Sequence, residues 1–106
     1  MDDLTWENIK EKYQLGIFIR GKVTRHMPFG IFLDIGEAGV KGLIRIVDFV
    51  DEGEMREDLY PAIGSTVGGV IYGYSDKENA QINLSATPSA IGEFLLSIQN
   101  PNSQTP

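Results

Sequence analysis

The chain has 106 residues, a formal net charge of −6 and no cysteine, which fits one domain with a modest core and excludes a disulfide framework or a thiolate metal site. No apolar run approaches the roughly 18–20 residues a membrane helix requires. The opening Met1-Asp2-Asp3-Leu4-Thr5-Trp6 lacks the basic-then-apolar pattern of a secretory signal, so a cytoplasmic protein with no membrane association is expected.

The first element is a short helix capped by Asp3 or Thr5, with Trp6, Ile9 and Tyr13 on its apolar side, ending at Gly16. A strand follows in which Ile17, Ile19, Gly21 and Val23 alternate with Phe18, Arg20, Lys22 and Thr24, the period of two of a half-buried strand. Pro28 turns the chain into a second strand, with Ile31, Leu33 and Ile35 on one side and Gly30, Phe32 and Asp34 on the other. The turn Gly36-Glu37-Ala38-Gly39 leads to a third strand from Val40 to Ile46, with Lys41, Leu43 and Arg45 sharing a side.

Residues 48–60 show no period and read as a long solvated connection with at most one helical turn. Within it Asp48, Asp51, Glu52, Glu54, Glu57 and Asp58 face one Arg56, a local charge of −5 that leaves −1 for the rest of the chain. A fourth strand is expected from about Val67 to Ser75, with Val70, Tyr72 and Tyr74 on a common face. After the turn Asp76-Lys77-Glu78-Asn79, Ala80, Ile82 and Leu84 alternate with Gln81, Asn83 and Ser85 in a fifth. Thr87 then suits a helix N-cap with Pro88 at the first helical position. Ile91, Phe94, Leu95 and Ile98 form one stripe of that helix, and residues 102–106 are expected to be disordered.

Five short strands with one long break after the third fit an all-β fold, a five-stranded antiparallel Greek-key barrel of the OB type, closed so that no sheet edge is exposed. The expected division is residues 1–86 for the barrel with its short helix and 87–106 for the amphipathic helix and tail. The expected core is Ile17, Ile19, Val23, Ile31, Leu33, Ile44, Ile82 and Leu84.

With those elements placed, Trp6, Gly16, Gly21-Lys22-Val23, Phe29-Gly30-Ile31-Phe32, Val40-Lys41-Gly42-Leu43-Ile44, Gly64 and Ile82-Asn83-Leu84-Ser85 resemble, in order and separation, the S-one RNA-binding domain. This OB-fold module is repeated in ribosomal small-subunit protein one and found in polynucleotide phosphorylase. The resemblance implies that single-stranded RNA binds through two aromatics of the second strand, a histidine of the third, and an aspartate and a basic residue around the fifth. Carried over, the aromatics are Phe29 and Phe32 and the aspartate is Asp76. The histidine position holds Arg45, and the last basic position falls near Gln81.

The residues themselves support a similar site. Rings stack on bases of any identity, and Arg20, Lys22, Arg25 and Arg45 are the cations for phosphates. Asp76, Asn83 and Gln81 suit hydrogen bonds to base edges or a 2′-hydroxyl. Phe18 either joins this face or is covered by the last helix. His26, the lone histidine, sits in a turn with no partner for catalysis or metal binding, and an EF-hand register starting at Asp48 puts Val50 and Leu59 where carboxylates belong. The expected function is weak, largely sequence-independent binding of single-stranded RNA in translation or RNA metabolism, without a cofactor or catalytic activity. The alternative is a docking module for a ribosomal or RNA-processing protein through residues 48–60 or 88–99.

Overall fold

The computed structural model describes residues 3–76 and 79–99. The last residues, for which disorder is expected, and the middle of the 76–79 turn lie outside them. Helix α1 spans Asp3–Lys12. Strands β1 (Phe18–Met27), β2 (Gly30–Asp34), β3 (Val40–Arg45), β4 (Thr66–Ser75) and β5 (Ala80–Ser85) follow, and helix α2 runs Pro88–Gln99. The strands close in the order β1-β2-β3-β5-β4.

One seam differs from the sequence expectation: β3 and β5 pair in parallel, while the other four seams are antiparallel. Strand direction cannot alternate at every seam of a closed ring with an odd number of members. A five-stranded barrel therefore needs a parallel pair, and the long connection between β3 and β4 is what supplies it.

Period-two patterning selects the interior. Val23, Ile31, Leu33, Ile44, Ile71, Ile82 and Leu84 are almost fully buried, and loss of their apolar surface to water would cost each roughly 1.5–3 kcal/mol. Ile17 and Ile19 only pack against this core from its margin. The β1–β2 ladder begins at Lys22, so the first part of β1 has only β4 beside it.

Both barrel ends are closed by segments outside the sheet. At one end α1 lays Trp6 and Ile9 over the core, Trp6 meeting Tyr74 edge-on at 5.9 Å. Tyr74 therefore turns toward the core rather than sharing a face with Val70 and Tyr72. A register shift between Ile71 and Gly73 makes Tyr72 the extra residue of a bulge, which resets the alternation. At the other end residues 46–62 fold back: Phe49 and Met55 pack on the core, Met55 N–H donates to Ile46 O at 3.0 Å, and Tyr60 lies between the rings of Phe49 and His26. This connection carries two 3-10 turns, Ile46–Asp48 and Glu57–Leu59, and is not merely a solvated loop. Its apolar residues Phe49, Met55 and Tyr60, interspersed among the acids, anchor it.

Helix α2 starts as its sequence signals. Thr87 Oγ1 accepts from Ala90 N–H at 3.1 Å, and Asp51 Oδ1, from the acidic connection, accepts from Ser89 N–H at 3.2 Å. Phe94 stacks on Phe18 with ring centres 5.7 Å apart, which settles Phe18 as covered. Gly68 makes this possible, because a Cβ there would collide with the Phe18 ring. The expected stripe is split: Ile91 and Phe94 are half-buried, whereas Leu95, Leu96 and Ile98 are exposed. Meeting Phe18 across the short side of β4 rotates the helix so that Ala90, Phe94 and Ser97 face the barrel.

Candidate nucleic-acid interface

The outward-facing residues of β1, β2, β3 and β5 line up in cross-strand rows. One row runs Lys22, Asp34, Lys41, Gln81. The next runs Arg25, Phe32, Leu43, Asn83. A third joins Gly30 to Arg45. Neighbouring strands lie about 4.8 Å apart, so these rows make a continuous patch on one side of the barrel.

Phe32 stands at the centre of this patch. Phe29, in the tight turn between β1 and β2, meets it edge-to-face at 5.9 Å and is 46% exposed. Gly30 keeps the turn close to β3: a Cβ there would collide with Ile44 O and come within 2.7 Å of Arg45 Cα. Lys41 Nζ hangs 5.3 Å from the centre of the Phe32 ring, and Arg25 lies directly across from Phe32 because the β1 ladder skips Thr24 in a bulge. The Thr24 hydroxyl donates to Phe32 O at 3.2 Å and fixes that bulge.

Leu43 and Lys41 are among the residues of this patch that lie outside the sequence-based set. Leu43 is 6% exposed although it points to the outer side; it lies between Phe32 and Asn83 and forms the floor of the patch. Lys41 joins the rings through its place on the same side of β3 as Arg45, an alternation visible in the sequence.

Arg45 is held on both sides. Its Nε donates to Asp48 Oδ2 at 3.0 Å and lies 3.0 Å from Tyr72 Oη, while the Tyr72 hydroxyl donates to the same Asp48 oxygen at 2.6 Å. The Asp48 side chain is only 14% exposed. Its hydrogen bond and charge raise the Arg45 pKa further above the ordinary arginine value, and burial followed by that carboxylate raises Tyr72. Asp48, assigned from sequence to a solvated acidic run, is therefore part of the patch. No sequence period links it to Tyr72, since the contact depends on the β4 bulge.

The remaining site residues from the sequence are less tightly gathered. Gln81 Nε2 donates to Asn83 Oδ1 at 2.8 Å on β5. Asp76 is exposed just after β4, where its charge adds to the larger effect of the hydrogen bond to Glu7 in raising the Lys10 pKa. Lys22 sits at the edge of the patch. Arg20 is not brought to the rings: it is paired with Gly68 on the β4 side and lies 5.8 Å from the Phe18 ring. Roughly 20 Å of strand, at about 3.3 Å per residue, separates it from the Phe29 turn.

Chemically the patch offers one exposed ring, Phe29, and one half-buried ring, Phe32, with cations around them and amide groups beside them, a suitable set for stacking and phosphate contact. His26 Nε2 donates to Pro61 O at 2.7 Å, against the connection rather than on the patch. Among the described residues no group of histidines and carboxylates is placed to hold a metal ion, and no helix is long and apolar enough to cross a membrane.

Comparison with known proteins agrees with this architecture. The small ribosomal subunit protein bS1 of Chlamydia trachomatis is 44% identical over 41 residues, covering 39% of this chain and 7% of that protein. The 4-hydroxy-3-methylbut-2-enyl diphosphate reductase of Clostridium acetobutylicum is 46% identical over 41 residues, covering 39% and 6%. This chain thus spans less than a tenth of the length of those curated relatives. Among solved structures, GSP13 from Bacillus subtilis superposes with a TM-score of 0.58 at 23% identity, over 70% of this chain and 55% of that one. A chain of the a/eIF2alpha-aDim2p-rRNA complex from Pyrococcus horikoshii superposes with a TM-score of 0.60 at 17% identity, over 85% and 55%. Those likenesses are of fold. The family model described as S1 RNA binding domain, the S-one family of the sequence resemblance, matches residues 12–86, and the chain belongs to that family.

Proposed function

We propose that this chain binds single-stranded RNA weakly and with little sequence preference, as a module acting in translation or RNA metabolism and without catalytic activity of its own. The observation that carries the reading is the Phe29–Phe32 pair on the open side of β2, flanked by Lys41 over Phe32 and Arg25 across from it. The rings stack bases, while Lys22, Arg25, Lys41 and Arg45 meet phosphates. Asn83, Gln81 and Asp76 supply hydrogen bonds to base edges or to the 2′-hydroxyl that separates RNA from DNA. Family membership and the ribosomal and rRNA-complex names among the relatives support RNA as the ligand. With three or four phosphate contacts, the log–log salt slope should be roughly −2 to −3. Phe32→Ala should weaken binding by about 1–3 kcal/mol with the fold retained. Binding that ignores both salt and this substitution would overturn the reading.

A docking function is the second reading. Leu95, Leu96 and Ile98 form an exposed apolar group on α2, inside the segment 88–99 expected to engage a protein. A ribosomal or RNA-processing partner on that helix would cover them and leave the β2–β3 patch untouched.

A further inference from the structure

We infer that Tyr72 is a third base-stacking ring of this face, set beside Arg45 so that one nucleotide can place its base on the ring and its phosphate on the guanidinium. The inference rests on the RNA-binding reading and extends it by one subsite toward β4.

The geometry is specific to this chain's bulge. Tyr72 is the residue that β4 inserts between its pairings of Ile71 with Leu84 and of Gly73 with Asn83. An inserted residue is unpaired and re-aimed by the local twist, a device common beside binding sites. The ring is thereby directed across β5 to the end of β3, where its hydroxyl meets Arg45 and, in the turn that follows, Asp48. Gly73, the next residue, carries no side chain to crowd Asn83: even a Cβ there would sit 3.7 Å from Asn83 Nδ2. The path from Phe32 over Leu43 and Asn83 to Tyr72 therefore stays open.

The ring is a poor candidate for a purely structural role. Tyr72 is 42% exposed, although a tyrosine at the margin of a core ordinarily buries its ring and leaves the hydroxyl wet. Here the arrangement is reversed: the hydroxyl is tied down and the ring is open. The Arg45 guanidinium carbon lies 5.9 Å from the ring centre. Arg45 uses Nε for both of its hydrogen bonds, and its side chain is 51% exposed. The Nη edge, which suits phosphate oxygens, is thus free of both partners. On the α2 side, Tyr72 lines an open groove of about 330 Å³ together with Ser85, Ala90, Glu93 and Phe94, so there is open space beside the ring.

Only a strand long enough to reach from Phe32 to β4 would use this subsite, within the range of about 4–16 nucleotides per OB fold. The test titrates the protein with oligouridylate of about eight nucleotides and with diuridylate, following the ring protons of Phe32 and Tyr72 by NMR, for the wild type, Tyr72→Phe and Tyr72→Ala. Expected results are shifts of both rings with the longer strand and of Phe32 alone with the dinucleotide. Tyr72→Ala should weaken the longer strand roughly tenfold, and Tyr72→Phe, which keeps the ring, by less than about threefold. If the two variants lose affinity equally, the hydroxyl and not the ring matters, and the inference fails. It fails too if Phe32 shifts in the wild type while Tyr72 stays still, with RNA binding intact. If neither ring responds to the longer strand, the RNA-binding reading falls with it. The wild-type ring shifts decide the question even if Tyr72→Ala unfolds.

Discussion

Arg45 Nε lies 3.0 Å from Asp48 Oδ2, so the cation β3 presents to a phosphate already has a carboxylate beside it. The turn that carries Asp48 is fixed independently, since Asp48 O accepts from Ala86 N–H at 2.8 Å. Asp48→Asn keeps an acceptor oxygen in the same place and removes the charge. RNA should then bind a few-fold more tightly at low salt, with the gain fading as the Debye length shortens below about 8–10 Å. The log–log salt slope should become steeper by about 0.7, one more phosphate fully neutralised. Weaker binding at an unchanged slope would show that the carboxylate serves to orient Arg45.

Lys41 and Arg20 make a matched pair of controls. Lys41 lies over Phe32, whereas Arg20 lies beside Phe18 at the far end of β1. Lys41→Gln should reduce the salt slope by about 0.7 and weaken binding, and Arg20→Gln should change neither. Oligonucleotide titrations at several salt concentrations check both. Equal losses would mean that the RNA path runs along β1 rather than across β2 and β3.

The Tyr60 hydroxyl is buried without a hydrogen-bond partner among the described residues, and burial, followed by the charges of Glu57 and Glu54, raises its pKa. Its ring packs between Phe49 and His26. Tyr60→Phe preserves those ring contacts and removes an unsatisfied polar group, so unfolding should become harder by about 1 kcal/mol. Denaturant melts of the two proteins give the sign directly. Destabilisation would mean that the hydroxyl has a partner.

Glu37, in the β2–β3 turn, accepts from Lys12 Nζ at 2.6 Å and from the Tyr13 hydroxyl at 2.8 Å, tying α1 to the barrel. The hydrogen bond from Lys12, then that from Tyr13, holds its pKa below the usual carboxylate value, while Glu37 raises that of Lys12. A lowered carboxylate pKa gives stability that is present above the unfolded value and lost as pH falls through the folded one. Glu37→Gln should therefore lower Tm slightly at neutral pH, and the gap should close as pH falls below the ordinary carboxylate range. Lys12 works in the opposite sense: its share is present below the ordinary lysine pKa and lost as pH rises through the raised one. Thermal melts across pH provide the check.

The barrel was legible because alternation in β2 and β5 is clean: Ile31 and Leu33 against Phe32, and Ile82 and Leu84 against Gln81 and Asn83. Two insertions hid the rest. The bulges at Thr24 and Tyr72 leave no mark in composition, yet they bring Arg25 opposite Phe32 and carry Tyr72 to Arg45. The places of Asp48 and Asp51 were hidden for another reason. Each makes its contact across 24 or more residues, to Tyr72 and to Ser89, and an acidic run reads as solvated until its apolar anchors are known to be buried. Leu43 shares its side of β3 with Lys41 and Arg45, so its side was visible in the alternation but its role as floor was not.

Amide shift mapping with oligouridylate of about eight nucleotides tests the central claim most directly. Binding across the patch should perturb Arg25, Phe29, Phe32, Lys41, Leu43, Arg45 and Asn83, and leave Arg20 and residues 95–98 unmoved. Perturbation confined to residues 48–60 and 88–99, or none at saturating RNA, would contradict it.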